Sequence, residues 1–144
     1  MITAWRLCRG PFADLSGEGA RRFGGRWNSP GRGMVYAADH PALAVLEVRV
    51  HLDLPPELLP ADYVLMRLAL PEDAHTLPTL PEDPRAAGDA WLAGAPCPVL
   101  RVPSVLVPAA ANLLLNPAHP GAAAARIEAI DPFAFDPRLW LGAR

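Results

Sequence analysis

Residues Gly10 to Gly33 constrain this chain more than any other stretch. Seven glycines and two prolines fall within them, and neither a helical nor a strand period runs through the segment. A connection this long is either disordered or an ordered binding loop. Phe23 and Trp27 are embedded in it, and aromatic side chains favour the ordered alternative, because disordered segments are poor in them. The rest of the fold must be short elements joined by long ordered connections.

The flanking patterns are mixed α and β. Ile2–Cys8 reads as a first strand with Arg6 inside it, and Met34–Ala38 as a second, short one. Pro41 suits the first turn of a helix over Ala42–His51, with Asp39 placed to cap it. Asp62–Leu70 is a strand stopped by Pro71, and Pro71–Pro84 a polar connection. Arg85–Leu92 is a short helix. Pro98–Val107 is a buried strand interrupted at Pro103. Asn112–Pro120 reads as a turn-rich segment, and Ala123–Ile130 is compatible with either strand or helix. The tail from Asp131 to Arg144 either packs on the core or serves self-association. The expected fold is α+β, one compact domain over residues 1–144, without internal repeats.

Composition narrows the function classes. Half of the 144 residues are hydrophobic (51%), enough for one buried core. The formal net charge of -2 with 19% charged residues leaves no basic footprint for broad nucleic-acid binding. The histidines (His40, His51, His75, His119) are scattered, which also disfavours an RNA-cleaving enzyme. Apolar runs such as Val99–Val107 are short and carry Arg101 and Pro103, so no membrane span is expected. No basic region followed by an apolar stretch opens the chain, so no secretory leader is expected either. Cys8 and Cys97 are expected to stay reduced in a cytoplasmic protein.

Glu47 is the first candidate for chemistry. Leu43 lies one turn before it and Val50 one turn after, with Leu46 at the border, so the helix aims a carboxylate along its apolar stripe. A buried carboxylate needs a partner; a buried salt bridge or a reach to solvent is the structural alternative to a pocket. His51 sits four residues on, but two ligands without a third make a poor metal site, and no metal is expected. In the glycine-rich loop, Arg26 can offer a forked donor pair to phosphate, while Trp27 and Asn28 add a ring and an amide. Neither a Walker A loop nor a Rossmann fingerprint is present. Arg6, Tyr36, Ser104, Asn112 and His119 complete the polar candidates, each with an ordinary structural role as its alternative.

In order along residues 5 to 120 stand Trp5-Arg6, Ser16–Ala20, Gly24-Gly-Arg-Trp-Asn28, Val35–Ala38, Ala42–Val48, Val102-Pro-Ser-Val105 and Asn112–Pro120. Together they resemble the RES domain, the toxin half of bacterial RES–Xre toxin–antitoxin pairs. The Arg, Glu and Ser of the family's name look like Arg26, Glu47 and Ser104. The resemblance implies a fold similar to ADP-ribosyltransferase toxins, with central β-sheets and short helices. It implies NAD as substrate rather than cofactor, degraded by water or by phosphate as co-substrate. The alternatives are transfer of ADP-ribose to a protein and, more remotely, a catalytically silent antitoxin-binding module. It further implies an Xre-type helix-turn-helix antitoxin as partner; separately, an apolar, Pro-rich chain of this size is compatible with a homodimer within the complex. Carried onto this chain, Glu47, Arg26 and Tyr36 become catalytic residues, and Arg6, Arg26, Trp27, Asn28, Tyr36, Ser104 and Asn112 become NAD-binding residues.

Overall fold

A computed structural model describes residues 1–142. Seven strands form one mixed sheet: β1 (Ile2–Arg9), β2 (Val35–Ala38), β3 (Tyr63–Leu70), β4 (Ala74–Thr76), β5 (Val99–Pro103), β6 (Ala111–Leu115) and β7 (Arg126–Pro132). Their order across the sheet is β4-β5-β6-β2-β1-β3-β7. All neighbours are antiparallel except β4 and β5. Three helices accompany them: α1 (Glu18–Phe23), α2 (Pro41–Arg49) and α3 (Pro84–Gly94).

The join between β1 and β2 decides where the site lies. β1 pairs with β3 along its whole length, from Ile2 opposite Leu70 to Arg9 opposite Tyr63. Against β2 it pairs at Trp5 and Ala38 alone. The sheet is therefore two ladders hinged at one residue pair, and they splay apart beyond it.

Strand alternation sorts the core. Ala4, Val35, Ala37, Met66, Leu68, Val99, Leu113 and Leu115 pack on one face across both ladders. On the other face, Leu100, Val102 and Leu114 pack with Trp27, Met34 and the α3 residues Trp91 and Leu92. Beside them Leu7, Ala38 and Tyr63 meet the α2 residues Leu43 and Ala44, with Phe133 and Phe135 of the tail closing the cluster. Helices α2 and α3 thus cover the same face on opposite sides of the split.

Several local expectations need correction. The Gly10–Gly33 segment contains a helix, α1, held by Glu18 ion pairs to Arg21 and Arg22 rather than by an apolar stripe. Gly17 and Gly24, both at positive φ, bound it. Phe23, one of the two aromatics expected to order the loop, is 82% exposed. The α2 cap is His40, whose Nδ1 accepts the Ala42 N–H, and not Asp39. Asp39 instead accepts the Ala111 N–H and the Arg101 guanidinium. Asn112–Pro120 is not a turn throughout, because β6 runs to Leu115. Buried on both faces, β6 lost the alternation that marks a strand. Ala123–Ile130 resolves into a short 3-10 turn followed by β7. The described part of the tail, to residue 142, packs on the core, as one of its two readings had it, the last two residues lying outside the described ones: Trp140 is buried, and Phe135 stacks edge-on against Tyr63, Phe133 and Trp140. Both cysteines are free.

Candidate active site

Where the ladders splay, a cleft of about 460 Å³ opens between β1, β2, α2 and the glycine-rich loop. β1 contributes Trp5, Arg6 and Leu7; β2 contributes Tyr36, Ala37 and Ala38; α2 contributes Ala44, Glu47 and Val48. Arg26, Asn112 and His51 complete the polar lining. Alternation puts Arg6 on the sheet face opposite Trp5 and Leu7. The residue lines the cleft, and its guanidinium Nη1 is anchored on the Phe12 and Asp14 carbonyls.

Glu47 sits half-buried one helical turn beyond Leu43, which is buried with Ala44 in the α2–sheet contact. Val50 and Leu46, expected to extend that stripe, are 50% and 39% exposed, because the helix ends at Arg49 beside the cleft mouth. The carboxylate therefore points into the cleft rather than a dry core. Ser104 Oγ donates to Glu47 Oε1 at 2.8 Å. Among the described residues no group donates to Oε2, which leaves that oxygen for a ligand hydroxyl.

The loop is built around Asn28. Its Nδ2 donates to the carbonyls of Ala20, Ser29 and Arg32, at 2.9, 3.1 and 3.2 Å. Its Oδ1 accepts the Tyr36 hydroxyl at 2.6 Å, and that hydroxyl accepts the Trp27 N–H at 3.0 Å. Burial pushes the Tyr36 phenol up to about 12, against a smaller opposing pull from the Trp27 N–H. Tyr36 is thus a neutral ring wall whose hydroxyl is fully used by the loop. Gly25 makes this close packing feasible, since a Cβ there would stand 2.5 Å from the Tyr36 oxygen. Arg26 projects from the tip of the resulting turn, exposed and without a protein hydrogen-bond partner among the described residues.

The sequence candidates thus fall into two groups. Glu47, Arg26, Arg6, Tyr36 and Asn112 are brought to one cleft. Trp27 reaches its edge, with a side chain buried in the α3 core. Asn28 and Ser104 are fully buried behind the cleft wall, one folding the loop and the other holding Glu47. His119 caps the turn after it, accepting the Gly121 N–H, away from the cleft. Among the described residues no three His, Cys, Asp or Glu side chains gather as a metal site.

Sequence reasoning missed the buttress that α3 gives the loop. Arg85 donates to the Gly25 carbonyl, and Asp89 accepts both the N–H and the hydroxyl of Ser29, at 2.7 and 2.6 Å. Those two bonds hold the Asp89 carboxyl below the usual range. Between them Gly88 lies so near the Trp27 carbonyl that a Cβ would come within 1.7 Å of it. A lone glycine inside a helical pattern is the signal that was available.

The chain is thus a small α+β protein in which a clamped carboxylate and two arginines line one cleft where the ladders part. Residues 3–137 match the RES domain family. The chain is 41% identical to "Toxin Res" of Pseudomonas putida, over 94% of this chain and 98% of that one. It is 38% identical to the "Prs ADP-ribosylating toxin" of a Sphingobium species, over 88% and 86%. The crystal structure of the M. tuberculosis MbcT–MbcA toxin–antitoxin complex superimposes with a TM-score of 0.74 at 24% identity, covering 99% of this chain and 88% of that one. The two chains accordingly share one fold. The chain belongs to the RES domain family of toxins.

Proposed function

We propose that this toxin cleaves the nicotinamide–ribose bond of NAD and so depletes the dinucleotide, as one half of a toxin–antitoxin pair. The observation that carries the reading is the Glu47 carboxylate, clamped by Ser104 through one oxygen and open at the other, in a cleft lined by Arg6 and Arg26. Nicotinamide in NAD is a cationic leaving group. When the C1″–N bond breaks, its electron pair leaves with nicotinamide, and positive charge develops on the ribose as in glycoside cleavage. Glu47 stabilises that charge, and its free oxygen accepts a ribose hydroxyl. Arg26 and Arg6 hold the diphosphate, Tyr36 flanks the nicotinamide, and Asn112 positions an amide or hydroxyl. Water or inorganic phosphate then adds to C1″, giving ADP-ribose or its 1″-phosphate.

A second reading, mono-ADP-ribosylation of a protein, uses the same cleft. It is favoured by the 38% identity to a toxin named for ADP-ribosylating Prs. The partner we propose is an Xre-type helix-turn-helix antitoxin, in keeping with a structural neighbour solved as a toxin–antitoxin complex. No helix among the described residues is long and apolar enough to cross a membrane. We place the reaction in the cytoplasm, where NAD is available.

The deciding experiment is NAD consumption by purified protein, with and without phosphate, products being resolved by chromatography. Wild type is expected to release nicotinamide, and Glu47→Gln to lose turnover far more than NAD affinity. Equal losses in both would remove Glu47 from the transition state. No NAD loss in either buffer would leave the transferase, assayed with a protein acceptor, or a catalytically silent binding module.

A further inference from the structure

Beyond Arg6 the cavity continues. A second groove of about 400 Å³ is bounded by Phe12 and Asp14 from the turn after β1, and by Ser16, Glu18 and Phe23 from α1 and its approach. Arg6 and Gly24 line both this groove and the cleft. Its two aromatic rings are 54% (Phe12) and 82% (Phe23) exposed. Rings so far in water add little to the core, so the fold alone does not explain them.

Arg6 joins the two cavities mechanically and electrostatically. Its Nη1 donates to the carbonyls of Phe12 and Asp14 at 2.8 and 3.1 Å, which fixes the groove wall to β1. The carbonyl contacts neutralise no charge, the nearby Asp14 carboxylate offsets part of it, and among the described residues Nε and Nη2 make no hydrogen bond. A guanidinium in that state suits a phosphate group. On the groove wall Glu18 is matched by Arg21 and Arg22, so its charge does not repel an incoming phosphate. Asp14 spends Oδ1 on the Ser16 N–H and hydroxyl and keeps Oδ2 as an acceptor.

Size points the same way. Sites for drug-sized ligands span roughly 300–1,000 Å³, so a second groove continuous with a cleft near the lower end adds room for a longer ligand. We infer that the Phe12–Phe23 groove takes the adenosine half of NAD, the base lying against the aromatic rings and the diphosphate crossing at Arg6. The inference rests on the NAD-cleavage reading for its substrate. In this arrangement the adenine amino group meets Asp14 and Ser16, and the groove makes the enzyme selective for dinucleotides over mononucleotides.

The test compares NAD with nicotinamide mononucleotide, which carries the same scissile bond without adenosine. Full-length wild type and a Phe12→Ala/Phe23→Ala variant are assayed for nicotinamide release, and AMP is titrated into both by calorimetry. Both rings are exposed, so the variant should fold, and a thermal melt checks it. Wild type is expected to prefer NAD, and the variant to lose about tenfold or more of that preference and of AMP affinity, as when a base loses its stacking partner. Equal use of the two substrates by wild type would overturn the inference. So would a variant with unchanged preference and AMP affinity, as a protein-docking role for the rings predicts. If neither substrate is cleaved but AMP binding still depends on the rings, the cleavage reading fails and the adenosine groove stands.

Discussion

Ser104 Oγ and Glu47 Oε1, 57 residues apart in sequence, lie 2.8 Å apart. The serine is fully buried, and its oxygen also accepts the N–H groups of Leu106 and Val107 at 3.1 and 3.2 Å. Its one proton and both acceptor sites are thereby committed. The turn after β5 and the end of α2 form one hydrogen-bonded unit, and the orientation of the carboxylate is set from outside the cleft.

Ser104→Ala should expose that dependence. Two backbone N–H groups lose their acceptor, costing about 1–3 kcal/mol of stability. Glu47 loses its clamp while Arg6 and Arg26 are untouched, so NAD turnover should fall with little change in KM. A variant with lower stability but wild-type turnover per folded molecule would reduce Ser104 to a structural role.

Gly88→Ala tests the α3 buttress. The added methyl would stand 1.7 Å from the Trp27 carbonyl, with the Trp27 Cβ at 3.0 Å. Backbone on both sides cannot yield cheaply, and overpacking of this kind costs about 3 kcal/mol. The thermal midpoint should drop by several degrees, and the Arg26 turn should shift with it. An unchanged melt would mean α3 is free to slide away from the loop.

Tyr36→Phe removes a hydroxyl that serves both the Trp27 N–H and Asn28 Oδ1. Two groups lose a partner in a half-buried wall, a loss of about 1–3 kcal/mol. Alkaline stability adds a second signature. The folded phenol is pushed up to about 12 by burial, above the ordinary tyrosine value. Its stabilising contribution is therefore complete below pH 10 and is lost as the pH climbs from 10 toward 12, where the unfolded chain releases the proton first. Wild type should lose stability in that window more steeply than Tyr36→Phe. Parallel curves from denaturant melts at pH 9 to 11.5 would contradict a buried neutral phenol.

Legibility followed burial geometry. β1 and β3 were readable as bounded apolar runs, the second stopped by Pro71, and α2 from Pro41 at its start and its covered Leu43–Ala44 face. β6 was not, since Leu113, Leu114 and Leu115 are all buried and alternation vanishes. α1 escaped notice because six residues held by Glu18–arginine pairs and flanking glycines show no apolar period. In the site, Glu47 stood out locally as a carboxylate on an apolar stripe. That Arg26 and Tyr36 face it came from the family resemblance, not from spacing. The division of labour among Trp27, Asn28 and Ser104, which support the wall rather than form most of it, depends on contacts across the sheet that no local pattern records.

The last prediction concerns the strap that the tail lays over α2. The Arg49 guanidinium lies 4.1 Å from the centre of the Trp140 ring, and donates to the carbonyls of Leu52 and Leu139. Trp140 in turn donates its indole N–H to the Leu54 carbonyl at 2.9 Å and stacks edge-on against Phe135. These contacts grip the helix two residues past Glu47. Trp140→Ala removes the ring, the hydrogen bond and the cation–π contact together, and should cost about 3–5 kcal/mol. Because the grip falls on the end of α2, folded variant should also show slower NAD turnover, with Arg6 and Arg26 binding of ADP-ribose nearly intact. Amide exchange should localise the loosening to residues 46–54. Loosening confined to the tail, with turnover unchanged, would show that the strap stabilises the domain without steadying the carboxylate.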